Sequence, residues 1–113
     1  MSPQVFKFGG TSVGSAEAVR LAIARVREAA PRVVAVVSAM AGVTDLLHGA
    51  AEYALAGRRE DAERAAHEFG ARHVELIGQL VPSHKAALEL ETLVAESTHE
   101  LLSVCEAVRI CAS

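Results

Sequence analysis

Apolar residues near the start of the chain recur with the periods of a strand, a helix and a second strand. Residues 5–8 predict a short strand, and residues 19–30 place apolar side chains at helical spacing until Pro31. Residues 33–37 are apolar throughout, which is typical of a parallel strand covered by helices on both faces. The chain therefore begins with a predicted βαβ unit, in which Ser15 is the expected N-cap of the helix.

The rest of the chain shows helical periodicity. One helix is predicted from Val43 or Thr44 to residue 56, with Gly57 ending it, and a second from about residue 60 to 80. A third follows an N-cap at Ser83. In the second helix, the stripe expected to face the core comprises Phe69, His73, Leu76, Ile77 and Leu80. In the third helix it comprises Leu90, Leu93, Val94, Ser97, Leu101, Val104, Cys105 and Val108.

Length and charge narrow the classes of function. A chain of 113 residues without an internal repeat or linker predicts one modest domain. The formal net charge of −3 argues against nucleic-acid and lipid partners. No apolar run approaches the ~20 residues of a membrane span, and the first residues lack the pattern of a secretion signal. We therefore expect a cytoplasmic protein.

The cysteines, Cys105 and Cys111, are predicted to be reduced. On one helix, six residues of rise separate them by ~9 Å, and a disulfide tolerates roughly 7 Å between Cα atoms. We expect two buried thiols.

Candidate chemistry is concentrated where the first strand ends. Gly9 and Gly10 allow close approach of a phosphate to the backbone, and Thr11 and Ser12 add hydroxyl groups. The following helix supplies N–H groups and a positive dipole end, and Lys7 supplies a compact cation. These residues predict a phosphate-binding turn, with a plain strand-to-helix turn as the alternative.

Two glycine motifs and a zinc motif are excluded. A P-loop needs Lys-Ser/Thr after its last glycine, but Ser15-Ala16 follows Gly14. The dinucleotide fingerprint needs glycine at position 11 and an acidic residue after the second strand, where Ser38 stands. The five histidines lack the His-Glu-x-x-His spacing of a zinc protease, so no protein-bound metal is predicted.

Two segments carry a family resemblance. Residues 7–13 read KFGGTSV and residues 36–45 read VVSAMAGVTD. Both resemble signature motifs of the aspartate kinases, in the order and at the spacing of that family. The resemblance implies that residues 1–113 are the N-terminal portion of an amino-acid kinase domain, a three-layer αβα sandwich. The half that binds the nucleotide base and the regulatory domains would then be absent.

The resemblance also implies a reaction and a set of roles. Such enzymes transfer the γ-phosphoryl group of ATP, accompanied by Mg²⁺, to the side-chain carboxylate of L-aspartate, the first step toward lysine, threonine and methionine. Lys7 would act as the catalytic cation on the transferring phosphoryl group. Gly9, Gly10, Thr11 and Ser12 would line the phosphates, and Ser38 and Thr44 would face the aspartate. A full-length enzyme of this family is expected to be a homo-oligomer.

The sequence also departs from the family. Members of the family have a Gly-Glu-x-x-Ser segment whose Glu binds the substrate amine. Residues 99–103, HELLS, resemble it, but they lie too close to Thr44 and inside a helical stripe, so we do not assign them to that segment. We therefore expect the isolated chain to be inactive. Two alternatives stay open: another amino-acid or carbamate kinase of the same fold, and a non-catalytic remnant that binds phosphate.

Overall fold

The computed structural model describes residues 2–113, which form two compact units, residues 2–42 and 43–113. We call them the first unit and the second unit. The first unit contains strand β1 (Gln4–Phe8), a 3₁₀ turn (Gly10–Val13), helix α1 (Ala16–Ala29) and strand β2 (Val33–Val37). The second contains helices α2 (Val43–Leu55), α3 (Arg59–Leu80) and α4 (His84–Ala112).

The first unit is a βαβ unit, as the hydrophobic pattern predicts. β1 and β2 pair in parallel, with Val5 opposite Val34 and Phe8 opposite Val37. Helix α1 covers one face of this sheet, where Phe6 and Phe8 line a groove against the helix. Because neighbouring residues of a strand point to opposite faces, Val5 and Lys7 lie on the other face.

The environment of β2 differs from the prediction of a strand covered on both sides. Within residues 2–113 the sheet has two strands, so β2 pairs with β1 along one edge. Val34 is 48% exposed and Val37 is 64% exposed. The run of valines fits a buried parallel strand, but the layers that would bury it are not formed by the described residues.

The core of the second unit is built from small residues. Ala50, Ala54, Ala62, Ala65 and Cys105 are buried together, with Tyr53, Leu101 and Val108 packed against them. Alanine side chains allow helix axes to approach closely, and each buries little apolar surface. Close helix packing, rather than large side chains, therefore forms this core.

The predicted helix ends agree with the structure to within about a residue. Gly57 follows α2 with a positive φ of 75°, the left-handed conformation that glycine adopts at helix ends. The Ser83 hydroxyl accepts a hydrogen bond from the Ala86 N–H and caps α4. The predicted stripe of α3 is half-buried along its length.

The predicted stripe of α4 is divided between core and solvent. Its core-facing members are Val94, Leu101, Cys105 and Val108, and its exposed members are Leu90, Leu93, Ser97 and Val104. The stripe is wider than the arc that α2 and α3 cover, so one flank of α4 has apolar residues in solvent.

The prediction of two buried thiols is wrong for one of them. Cys105 is buried, but Cys111 is exposed. Six residues at about 100° each turn the helix by roughly 240° beyond a full rotation, so the two side chains leave α4 on different faces.

The coarse fold class is confirmed: the chain is mixed α/β, with a parallel two-stranded sheet at its start and helices in its second half. Across residues 2–113, no helix combines the length and the apolar character that crossing a bilayer requires.

Candidate functional site

The two glycine-containing loops leave the sheet at the same edge. We call residues 9–15 the first loop and residues 38–42 the second loop. Lys7 is opposite Val36 in the parallel register, and the Ser38 N–H donates a hydrogen bond to the Phe8 carbonyl at 3.0 Å. Because parallel strands run in one direction, both loops begin at the carboxyl ends of their strands, where open α/β sheets bind ligands.

The first loop contains an ordered turn. Gly9 is extended, and residues 10–13 form one 3₁₀ turn in which the Ser12 N–H donates to the Gly9 carbonyl at 3.0 Å. Val13 is 9% exposed and anchors the turn. A buried valine within a run of small residues thus makes the first loop an ordered element.

Ser15, the last residue of this loop, is the N-cap of helix α1. The Ser15 hydroxyl accepts a hydrogen bond from the Ala18 N–H at 3.2 Å, as the N-cap prediction requires. The Ala18 N–H is therefore occupied and does not contribute to an anion site. Glu17 lies in the first turn, where its carboxylate interacts favourably with the positive helix end.

The two loops touch each other. A Cβ atom built on Gly10 would lie 3.5 Å from the Ala39 carbonyl oxygen and 3.7 Å from the backbone of Ala41. The parts of the two motif segments that lie in the first unit therefore meet at one point, as their places at adjacent strand ends predict. The contact is between backbones, which small residues at positions 10, 39 and 41 permit.

Lys7 lies on the sheet face that does not carry α1. It is exposed and shares this face with Val5, Val34 and Val36, whose exposed fractions range from 48% to 66%. A cation on an otherwise apolar face adjoins the sheet edge from which both loops leave. This position suits a charge that acts on an anion bound at that edge.

The two predicted substrate-binding hydroxyl residues lie in different units. The Ser38 hydroxyl in the second loop donates to the neighbouring Ala39 carbonyl at 3.0 Å. Gly42 ends this loop with a φ of 85°, a conformation that side chains rarely adopt. Thr44 is exposed in the first turn of α2.

Charge is distributed unequally between the units. The first unit contains five basic and two acidic residues, a formal charge of +3, whereas the second contains six basic and twelve acidic residues, a charge of −6. The chain total of −3 conceals this difference. The unit with the glycine loops is therefore the one whose charge favours an anion.

A second polar cluster lies between α3 and α4. Arg59 lies 3.1 Å from Glu63 and 3.6 Å from Glu106, and Arg109 donates two hydrogen bonds to Glu106. The hydrogen bonds from Arg109 hold the pKa of Glu106 below its ordinary value and raise the pKa of Arg109. This cluster is thus a network of surface ion pairs.

The same cluster borders a cleft of about 600 Å³ that also includes His67 and His99. Its basic side chains are paired with acidic ones, so it offers no surplus charge to a ligand. Within residues 2–113, no three His, Cys, Asp or Glu side chains are grouped so that they could hold a metal ion.

One segment of the chain is similar in sequence to part of a known kinase. No family model matches the chain. Aspartokinase from Chlamydia trachomatis serovar D is 54% identical to it over 46 residues, which are 41% of this chain and 10% of that protein. The matched segment thus spans a tenth of the relative's length, and part of this chain is similar to part of an aspartokinase.

Sequence reasoning missed the role of Gly14 in the contact between the loops. A Cβ at Gly14 would lie 3.3 Å from the Ala41 Cβ. The run of small residues in the second loop is the signal that points to such an approach, but it does not name the partner residue.

Proposed function

We propose that this chain is part of an aspartate kinase and carries the phosphate-binding half of its active site. The enzyme would transfer the γ-phosphoryl group of ATP to the side-chain carboxylate of L-aspartate. The proposal includes the three-layer amino-acid kinase fold, of which the first unit supplies one βαβ segment.

The observation that carries the proposal is the meeting of the two motif loops. KFGGTSV and VVSAMAGVTD are far apart in the chain, yet Gly10 lies against Ala39 and Ala41 at one sheet edge. Two motifs of one family at one ligand-binding edge are more specific than either motif alone. The similarity to an aspartokinase over 46 residues supports the same family.

The proposed roles follow from the chemistry of phosphoryl transfer, which depends mainly on positioning and electrostatic stabilisation. Lys7 neutralises charge on the transferring group. Gly9, Gly10, Thr11 and Ser12 line the phosphates with backbone N–H groups and hydroxyls. Ser38 and Thr44 contact the aspartate, and no covalent enzyme intermediate is required.

The two loops contain no carboxylate that could hold a resident magnesium ion. Mg²⁺ usually binds through one or two carboxylates together with substrate phosphates. The residues present fit an ion that arrives with the nucleotide, and the ion would neutralise phosphate charge during transfer.

Titration of the 113-residue chain with MgATP tests the proposal, using calorimetry to measure the dissociation constant. We expect wild type to bind and Lys7→Ala to bind about tenfold more weakly, because a charge-assisted contact is lost. Lys85→Ala, an exposed lysine on α4, is the matched control and should bind as wild type does. Equal affinity of Lys7→Ala and wild type would contradict the role of Lys7.

The acceptor is tested in the longer enzyme that the proposal implies. ADP release should require aspartate, and glutamate or carbamate should not replace it. Release that depends on glutamate or carbamate would instead support another kinase of the same fold.

A non-catalytic remnant is the second candidate, and the exposed valines of the sheet favour it. Val34, Val36 and Val37 are 48–64% exposed, which promotes association of an isolated chain. A phosphate-binding chain that self-associates, with no aspartate-dependent ADP release by the longer protein, would support this candidate.

A further inference from the structure

We infer that Gly14 and Ala41 are positioning residues that set the distance between the two loops of the phosphate site. The inference rests on the proposed function and extends it to two residues that the family motifs leave without a role. Neither residue is proposed to contact ATP. Each acts through the backbone of Gly10 and Thr11.

The first observation is the lack of space around Gly14. A Cβ atom there would lie 3.0 Å from the Gly10 carbonyl oxygen, 3.3 Å from the Ala41 Cβ and 3.6 Å from the Thr11 carbonyl oxygen. The backbone of Gly14 has φ −84° and ψ −9°, which any residue can adopt. A side chain at position 14 is therefore opposed by packing and not by backbone conformation, since its neighbours must move by a few tenths of an ångström.

The second observation is what those neighbours do. The Gly10 carbonyl and the Thr11 N–H belong to one planar peptide unit, so moving the oxygen also turns the N–H. Thr11 is among the residues proposed to line the phosphates. A side chain at position 14 would thus change the direction of a backbone donor without entering the binding site.

The third observation joins this packing to the second loop. Gly10 also lies against Ala39 and Ala41, so Gly10 and Gly14 of the first loop both approach Ala41 of the second loop. A methyl group added at Gly14 must displace Ala41 or the Gly10 carbonyl by a few tenths of an ångström. Either displacement alters the spacing of the two loops at the proposed phosphate site.

Amide NMR spectra of the ligand-free chain test the coupling. In Gly14→Ala we expect the Thr11 and Ala41 amide signals to shift, while Gly49→Ala leaves them in place. A Cβ at Gly49, on α2, meets nothing within 4 Å, so this variant is the matched control. Unchanged Thr11 and Ala41 signals in Gly14→Ala would overturn the inference, whatever the chain binds.

Titration with MgATP tests the consequence. We expect Gly14→Ala to bind about tenfold more weakly than wild type, as if one charge-assisted hydrogen bond were lost. Ala41→Gly added to Gly14→Ala should recover part of the affinity, which a general loss of folding would not allow.

The outcomes separate the two proposals. Failure of wild type to bind MgATP contradicts the phosphate site proposed for this chain. Binding by wild type that Gly14→Ala leaves unchanged contradicts the positioning role alone. A weaker Gly14→Ala that Ala41→Gly fails to improve also contradicts the role of Ala41.

Discussion

The hydroxyl oxygen of Thr98 on α4 lies 2.6 Å from the point that a Cβ atom on Gly70 of α3 would occupy. Gly70 is buried, and the Thr98 hydroxyl donates a hydrogen bond to the Val94 carbonyl at 2.9 Å. That hydrogen bond fixes the side chain that faces the glycine. The crossing of α3 and α4 therefore depends on glycine at this position.

Substitution at Gly70 should destabilise the second unit. We expect Gly70→Ala to lower the free energy of unfolding. Overpacking usually costs roughly 1–3 kcal/mol, and the higher helix propensity of alanine offsets about 1 kcal/mol of that cost. Gly78→Ala on the same helix meets no atom within 4 Å and should raise stability by about 0.5–1 kcal/mol. Urea unfolding monitored by helical circular dichroism measures both.

Removal of the Thr98 hydroxyl provides a second test of the contact between Gly70 and Thr98. In a Thr98→Ala background, the atom that obstructs position 70 is absent, so Gly70→Ala should cost less there than in wild type. The packing argument fails if Gly70→Ala is as stable as Gly78→Ala in the wild-type background.

Removal of the Ser15 cap should loosen the beginning of α1. Ser15→Ala leaves the Ala18 N–H without its acceptor and should cost about 1 kcal/mol of local stability. Hydrogen exchange at Ala18 should become about fivefold faster, whereas Ser15→Asp, which keeps an acceptor, should remain close to wild type. Equal exchange in the alanine and aspartate variants would show that the cap contributes nothing.

The two cysteines should differ in reactivity toward a thiol reagent. Cys111 is exposed, and Cys105 is buried with a pKa that burial raises above its ordinary value. Thiolate is the reactive form, so alkylation of the native chain should modify Cys111 first and Cys105 only after unfolding. Mass spectrometry of digested chain gives the order, and Cys111→Ser should remove the fast phase. A fast phase that persists in Cys111→Ser would contradict the assignment.

The Glu106–Arg109 pair should make stability depend on pH. Hydrogen bonds from Arg109 lower the pKa of Glu106, so the folded chain binds that proton less readily than the unfolded chain. The stabilisation is fully present above the ordinary glutamate pKa of 4.5 and is lost as pH falls through the lower folded value.

Comparison of wild type with Glu106→Gln isolates this contribution. Wild type should be more stable at pH 7, and the difference should shrink as pH falls below 4.5 and as salt rises. Glu96→Gln, at another exposed glutamate of α4, controls for the general effect of removing a negative charge. A difference that stays constant between pH 7 and pH 3 would exclude the ion pair as its source.

Much of the local structure could be predicted from the chain because it depends on residues close in sequence. The spacing of apolar residues, Pro31 after α1, the positive φ of Gly57 and the caps at Ser15 and Ser83 together define most element ends. The position of both loops at one sheet edge also follows, since a βαβ unit places its strands in parallel.

The predictions that proved wrong concern burial, which depends on elements far apart in the chain. Periodicity shows that Val34 and Val104 are apolar, but it does not show whether another layer covers them, and both are about half exposed. Cys111 was predicted to be buried because reduced cysteines of cytoplasmic proteins are commonly buried. Its exposure depends on which sector of α4 the other helices cover.

The sequence by itself determined the order of elements, their caps and the motifs that indicate phosphate chemistry, because each arises from interactions within a few residues along the chain. Only the tertiary structure decided that Gly14 packs against Ala41 and that Gly70 packs against Thr98. Such contacts join segments whose separation depends on how whole elements pack. The space available at a glycine is a property of its neighbours, and those neighbours are known only once the chain has folded.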